Sequence, residues 1–231
     1  MKVIHSVSGT VALHISGDDV IPETGVVPQD LVEFLASAYN FANKPIVSQG
    51  GVVQLGLQQF VFQSGVLVTG DKRLAIFQIA LVPNGDVVTA ADTDAADFVL
   101  NDYMKRLDEG LGFRFGAAKT DRRAYQSNLV VEFDVPLEEK LKGLLEIETH
   151  LDKEIPRESW PFKIKRLAFG YGELPLPFPT TLSFETVQRS DFVIERRAGE
   201  PYSANRYFCT APTSTKEHIR ILEVLERKLS N

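Results

Sequence analysis

Residues 52–89 read VVQLGLQQFVFQSGVLVTGDKRLAIFQIALVPNGDVVT, and this stretch decides the fold class. Short apolar runs, such as those around Phe60 and across residues 76–82, are typical of strands. Turn dipeptides separate the runs at Gly70-Asp71 and Asn84-Gly85. Because strands joined by such short turns run in opposite directions, the stretch predicts an antiparallel meander.

Four other segments show the spacing of apolar residues that is typical of amphipathic helices. In the first, Leu31, Phe34 and Leu35 fall on one face, and Pro28 stands at the helix start, where its missing amide costs nothing. The last opens with Ser214-Thr215-Lys216-Glu217, which is a capping-box sequence. The helices are predicted at residues 28–43, 93–109, 137–151 and 214–228.

The remaining apolar runs predict further strands. These lie at residues 129–133 and 162–169, and a hairpin or a long bent strand is predicted at 181–197. Residues 3–16 alternate in polarity but are interrupted by Ser8-Gly9, which indicates either a hairpin or a bent strand. The fold class that follows is α+β, with a mostly antiparallel sheet and helices packed on one of its faces.

The order of these elements divides the chain into two similar halves. Residues 1–112 and 128–231 each read as strand, helix, several antiparallel strands and helix, and the basic segment 113–127 would connect them. This order hints at a duplication, although the residues show no convincing identity at a fixed offset. The alternative is one continuous domain built on a single sheet.

The composition is that of an ordinary folded protein of 231 residues, with 44% hydrophobic and 24% charged residues. A net charge of -6 opposes generic binding to nucleic acid or to anionic lipid. The first residues lack a secretory signal, and no apolar run has the length of a membrane span. Cys209 is the single cysteine, so no disulfide can form within the chain. We therefore expect a cytoplasmic protein that does not enter a membrane.

No residue pattern in the sequence indicates a catalytic or metal site. His5 and His14 would lie side by side if Ser8-Gly9 were a two-residue turn, but zinc requires more ligands than two imidazoles. The acidic residues that begin with Asp92 suit the positive end of a helix dipole, and they lack the glycine and glutamate of a calcium loop. Cys209 is expected to be buried and unreactive. We expect neither a cofactor nor a metal.

The most unusual composition lies in residues 189–208, where arginine and tyrosine gather around the short loop Gly199-Glu200-Pro201. Both residue types are enriched at binding hot spots, and a guanidinium binds carboxylate or phosphate well. In a strand, Arg196 would project to the face opposite Glu195 and Arg197, so one arginine would point inward. The alternative is an ion-pair network that ties the strand end to the last helix. The candidate partner-binding residues here are Arg189, Arg196, Arg197, Tyr202 and Arg206.

A second unusual stretch is Leu174-Pro175-Leu176-Pro177-Phe178-Pro179. Its alternating prolines keep the backbone extended and prevent a helix from hiding the apolar side chains between them. Leu174, Leu176 and Phe178 are therefore further candidates for contact with a partner. The alternative is an intramolecular loop that lies on the core.

These features together indicate a non-catalytic protein that binds another protein or assembles with copies of itself. The alternative is an enzyme or a small-ligand-binding protein whose site is assembled from residues distant in sequence. A deep pocket that gathers ionisable groups with shifted pKa values would favour this alternative.

Overall fold

The computed structural model describes residues 1–15, 20–47, 59–82, 85–116, 122–134, 136–137, 153, 165–170 and 183–230. Its strands are β1 (Lys2–His14), β2 (Phe60–Thr69), β3 (Lys72–Val82), β4 (Gly85–Ala90), β5 (Arg123–Glu132), β6 (Arg166–Phe169), β7 (Phe192–Arg196) and β8 (Arg206–Ala211). The helices of the described residues are α1 (Pro28–Tyr39), α2 (Thr93–Leu111), α3 (Phe184–Gln188) and α4 (Thr215–Ser230). The fold is α+β, as predicted.

One eight-stranded sheet joins all these strands in the order β2-β3-β4-β1-β5-β8-β7-β6, and neighbouring strands are antiparallel. β2, β3 and β4 form the predicted meander. Thr69 pairs with Lys72 across Gly70-Asp71, where Gly70 takes a φ of 56°, a region that favours glycine. Val82 pairs with Gly85 at the second predicted turn, whose residues 83–84 lie outside the described part of the chain, as do 52–58 of the predicted meander.

The three longer helices cover one face of the sheet. Val11 and Leu13 of β1 lie in one apolar cluster with the buried sides of α1 and α2. Leu129 and Val131 of β5 lie in a second cluster with Leu222 of α4. Because side chains alternate between the faces of a strand, these odd-numbered residues of β1 and β5 all face the same way, and the long helices share that face.

The short helix α3 lies on the other face of the sheet, where Phe184 and Val187 pack with Ala12 and Ala124. The sequence predicted a hairpin or a long bent strand at 181–197. This prediction was wrong for Phe184–Gln188, which form α3, while Phe192–Arg196 form the strand β7. Ser183 and Thr186 form a capping box, in which each side chain bonds the other's backbone amide and so starts a helix.

The first predicted helix ends four residues early, because Asn40 adopts a left-handed φ of 48° that stops it at Tyr39. The chain then turns back, and Asn43 forms a bridge with Gln63 of β2. Of the helix predicted at 137–151, only Leu137 is described, and residues 162–164 of the next predicted strand also lie outside the described part. Residues 123–127 of the predicted connecting segment form the first half of β5.

β1 is a single strand, so of the two forms predicted for residues 3–16 the bent strand is confirmed and the hairpin at Ser8-Gly9 is wrong. The register with β5 shifts between Ser6 and Ser8, which bends the strand without turning it. His5 and His14 therefore lie nine residues apart along one strand, roughly 30 Å, and cannot share a ligand. Gly9 instead allows the start of α2 to pack closely against β1, since a Cβ on Gly9 would lie 2.0 Å from backbone atoms of Asp92 and Thr93.

The strand order is symmetric about the central pair of β1 and β5. Outward from β1 follow β4, β3 and β2, and outward from β5 follow β8, β7 and β6. α2 follows β4 just as α4 follows β8, and the two helices begin against each other. The Thr215 amide donates to Thr93 Oγ1 at 2.8 Å, and the Thr93 amide donates to Thr215 Oγ1 at 3.1 Å. The strand order is thus the same on both sides of the central pair, and a long helix follows the last strand in sequence on each side.

Candidate functional site

The structure divides the arginine-rich region between two ends of β7. Arg189 follows α3, ahead of β7, whereas Arg196 and Arg197 stand at the far end of that strand. Arg189 is therefore not part of the same cluster. Arg206 begins β8, and Tyr202 lies in a 3₁₀ turn, Tyr202–Ala204, with a side chain outside the described part. Leu174, Leu176 and Phe178 also lie outside the described residues.

Three antiparallel strands bring cationic residues to one corner of the sheet, because the start of β6, the end of β7 and the start of β8 lie side by side. The Arg196 amide donates to the Lys165 carbonyl at 2.8 Å, and the Arg197 amide donates to the Arg206 carbonyl at 3.1 Å. We call this set the basic corner. It consists of Lys165, Arg166, Arg196, Arg197 and Arg206.

Arg206 is the member of the corner that is engaged with carboxylates. Its Nε donates to Glu132 at 3.1 Å and its Nη1 to Glu200 at 3.4 Å, and the hydrogen bond to Glu132 is the main reason that the pKa of Arg206 rises. The alternative prediction was an ion-pair network that ties the strand end to the last helix, whereas these ion pairs of Arg206 join β8 to β5 and to the loop between β7 and β8. Since these groups are partly exposed, the pairs contribute little stability.

Arg196 is the arginine that points inward; the strand alternation predicted that one arginine would do so but did not indicate which. Its guanidinium lies 4.8 Å from the ring centroid of Tyr207, a cation–π contact on the face that α4 covers. Tyr207 is 3% exposed, and its hydroxyl accepts a hydrogen bond from the Leu137 amide at 3.3 Å. Arg196 is thus fixed by packing.

The other cations of the corner lie nearer the surface of the described part of the chain. Lys165 and Arg166 are exposed and Arg197 is half-buried, and none of the three forms a salt bridge with a carboxylate of the described residues. Glu195 stands opposite Arg166 in the β6–β7 register. Counting only the described residues, with Glu132, Glu195 and Glu200 as carboxylates, the corner has an excess of positive charge on a chain whose net charge is -6.

Next to these cations, β6 carries an exposed aromatic residue. Phe169 is 55% exposed, and its ring lies 6.0 Å from that of Phe192 on β7. The two residues are register partners on the helix-covered face of the sheet. The sequence placed a strand here but did not single out Phe169, because exposure at the sheet edge depends on which strands pair.

Several buried ionisable groups escaped the sequence analysis. Asp86 of β4 faces the core, where burial raises the pKa of its carboxyl to about 7. Burial also raises the pKa of the nearby Tyr103 hydroxyl. His218 of α4 is fully buried, with Nδ1 3.2 Å from Ser127 Oγ, and burial lowers its pKa to about 4. The available signal for Asp86 was its position in the strand alternation with Val88 and Ala90.

Cys209 is buried as expected, and burial raises the pKa of its thiol to about 12. Asp92 caps α2 by accepting a hydrogen bond from the Ala95 amide at 2.7 Å, which confirms the helix-start interpretation of the acidic cluster. Within the described residues, no group of three or more His, Cys, Asp or Glu side chains could hold a metal.

A shallow groove of about 370 Å³ lies along α2, lined by Met104, Lys105, Asp108, Glu109, Phe115 and Gly116. None of the buried groups with shifted pKa values lines it. No helix in the described ranges combines the length and the apolar character needed to cross a bilayer.

No protein-family model matches the chain, and no curated protein matches it at a significant level.

Proposed function

We propose that this chain is a non-catalytic subunit that binds another protein through the basic corner. The observation that carries the proposal is the position of Lys165, Arg166 and Arg197 on the surface of an acidic protein without carboxylate partners among the described residues. Such cations can form charge-assisted hydrogen bonds with carboxylates of a second chain. The packed pair of Arg196 and Tyr207 lies in the strands that carry these cations.

An enzyme or a small-ligand-binding protein is the alternative, and it requires shifted ionisable groups to line a cleft. Within the described residues, Asp86 and His218 are buried in apolar surroundings, and the groove along α2 reaches neither. The geometry therefore supports the binding function better. Assembly with copies of the same chain and a cytoplasmic location both stay predictions.

Charge reversal at the corner tests the proposal. Tagged wild-type protein and Arg197→Glu are used to capture proteins from a cytoplasmic extract, and the captured proteins are compared by quantitative mass spectrometry. We expect at least one protein to be enriched about tenfold or more by the wild type over the variant, because a carboxylate contact becomes repulsive. Sedimentation at rising concentration shows whether the partner is a second copy.

Lys105→Glu is the matched control, since it makes the same change of charge on an exposed residue of α2. It should capture the same proteins as the wild type. Thermal unfolding of both variants verifies that the fold is intact. Capture profiles that do not differ between wild type and Arg197→Glu, with no self-association, would refute the proposed function.

A further inference from the structure

The identity of the partner segment follows from the strand that borders the basic corner. β6 is the outermost strand of the sheet, and the side facing away from β7 pairs with no strand of the described residues. An unpaired strand edge presents backbone donors and acceptors in the geometry that an extended peptide needs. At four residues, β6 is short, so backbone bonds alone give such a peptide little affinity.

The side chains of β6 determine what such a peptide would carry. Arg166 and Ala168 project to one face of the sheet, and Leu167 and Phe169 project to the other. Residues directly opposite one another on paired strands share a face. A strand beside β6 would therefore place one set of its side chains near Arg166 and the alternate set against Phe169.

On the face of Arg166, Arg197 is the neighbouring cation, and these two guanidinium groups outnumber the Glu195 carboxylate and favour acidic side chains. On the face of Phe169, the exposed ring favours apolar side chains, which would cover it and extend its contact with Phe192. We infer that the partner presents an extended segment of alternating acidic and apolar residues, which adds to the sheet beside β6. This inference rests on the proposed protein-binding function.

A fluorescein-labelled peptide of six alternating glutamate and valine residues is the probe, and binding to the full chain is followed by fluorescence anisotropy. We expect saturable binding that weakens as NaCl is raised, because the carboxylate contacts are screened. A peptide with lysine in place of glutamate should not bind. A third peptide keeps the charge but has proline at two valine positions, and it should bind at least about tenfold more weakly, since proline cannot donate to the strand ladder.

Two substitutions in the protein, each with a matched control, locate the site. Arg166→Glu and Phe169→Ser should each weaken binding of the glutamate peptide by about tenfold or more. Lys105→Glu and Phe98→Ser, which change an exposed lysine and an exposed phenylalanine of α2, should leave the affinity unchanged.

Equal binding of the proline peptide would show that charge alone attracts the ligand and would overturn the added strand. The absence of binding by the glutamate peptide would overturn the inference as well. In both cases the capture comparison with Arg197→Glu still decides the proposed function independently, because it uses natural partners of any sequence.

Discussion

Burial controls the chemistry of Cys209, which lies in β8 between β5 and β7. Because only the thiolate reacts with alkylating reagents and burial holds the pKa of this thiol near 12, the native protein should resist iodoacetamide at pH 8. In urea the same residue should be alkylated completely, as measured by intact mass. Ser203→Cys, at an exposed position, is the control and should react in the native state. Rapid alkylation of native wild-type protein would contradict the burial of Cys209.

The direction of a side chain was predictable where a strand was recognised, and unpredictable where the partner of the residue lies far along the chain. Strand alternation alone placed Arg196 on the face opposite Glu195 and Arg197, and the Tyr207 ring lies on the face of Arg196. The same alternation places Asp86 with Val88 toward the core, but the cost of a buried carboxyl argues against such a position in a sequence. Only the packing of α2 over β4 shows that Tyr103 accompanies it.

Gly9 permits the start of α2 to rest directly on β1. A Cβ at this position would lie 2.0 Å from the Asp92 carbonyl carbon and the Thr93 amide nitrogen, which are backbone atoms that cannot move without displacing the helix. Gly9→Ala should therefore reduce the free energy of unfolding by about 3 kcal/mol or more, as measured by urea denaturation. Gly116→Ala, where a Cβ meets nothing within 4 Å, should change it by less than about 0.5 kcal/mol. Equal effects would contradict the close approach.

Elements with a local signal were predicted well, and elements defined by long-range contacts were not. The residues that predict the Gly70-Asp71 turn and the three long helices lie within a few positions of one another. In α4, for example, the Ser214 hydroxyl accepts a hydrogen bond from the Glu217 amide, as the capping-box sequence predicts. Gly9 was interpreted as a turn residue, because the sequence does not show that a helix lies on it. β8 escaped prediction, since its burial depends on β5 and β7 on either side.

The whole molecule repeats one strand order about the β1–β5 pair, and each half encloses its own apolar core on the helix-covered face. The sequence could indicate this repetition through element order alone. It could not place the symmetry centre, where Gly9 pairs with Ser127 and the two helix starts exchange hydrogen bonds. The sequence named the partner-binding candidates but could not show which of them lie together. Arg196, Arg197 and Arg206 lie close together because β7 pairs with β8, whereas Arg189 lies at the other end of β7.

Asp86 is buried on the β4 side of the sheet and His218 is buried on α4, and these two groups oppose each other in the dependence of stability on pH. Folded protein keeps the proton of Asp86 up to about pH 7, whereas the unfolded chain loses it near 3.8, so this group lowers stability as pH rises through that window. Folded His218 stays neutral down to about pH 4, whereas the unfolded chain binds a proton below 6.5, so this group lowers stability as pH falls. Each slope is about 1.4 kcal/mol per pH unit between pH 4 and 6.5, and the two offset each other.

Substituting one of the two groups should make the free energy of unfolding depend on pH, as measured by urea denaturation from pH 4.5 to 7.5. Relative to the wild type, the free energy of unfolding of Asp86→Asn should rise with pH by about 3 kcal/mol between pH 4.5 and 6.5, because only the His218 contribution remains. His218→Gln should show the reverse trend of similar size, and the double variant should run parallel to the wild type. A profile for Asp86→Asn that follows the wild type at every pH would show that this carboxyl is ionised in the folded core, and the sealed position assigned to it would then be wrong.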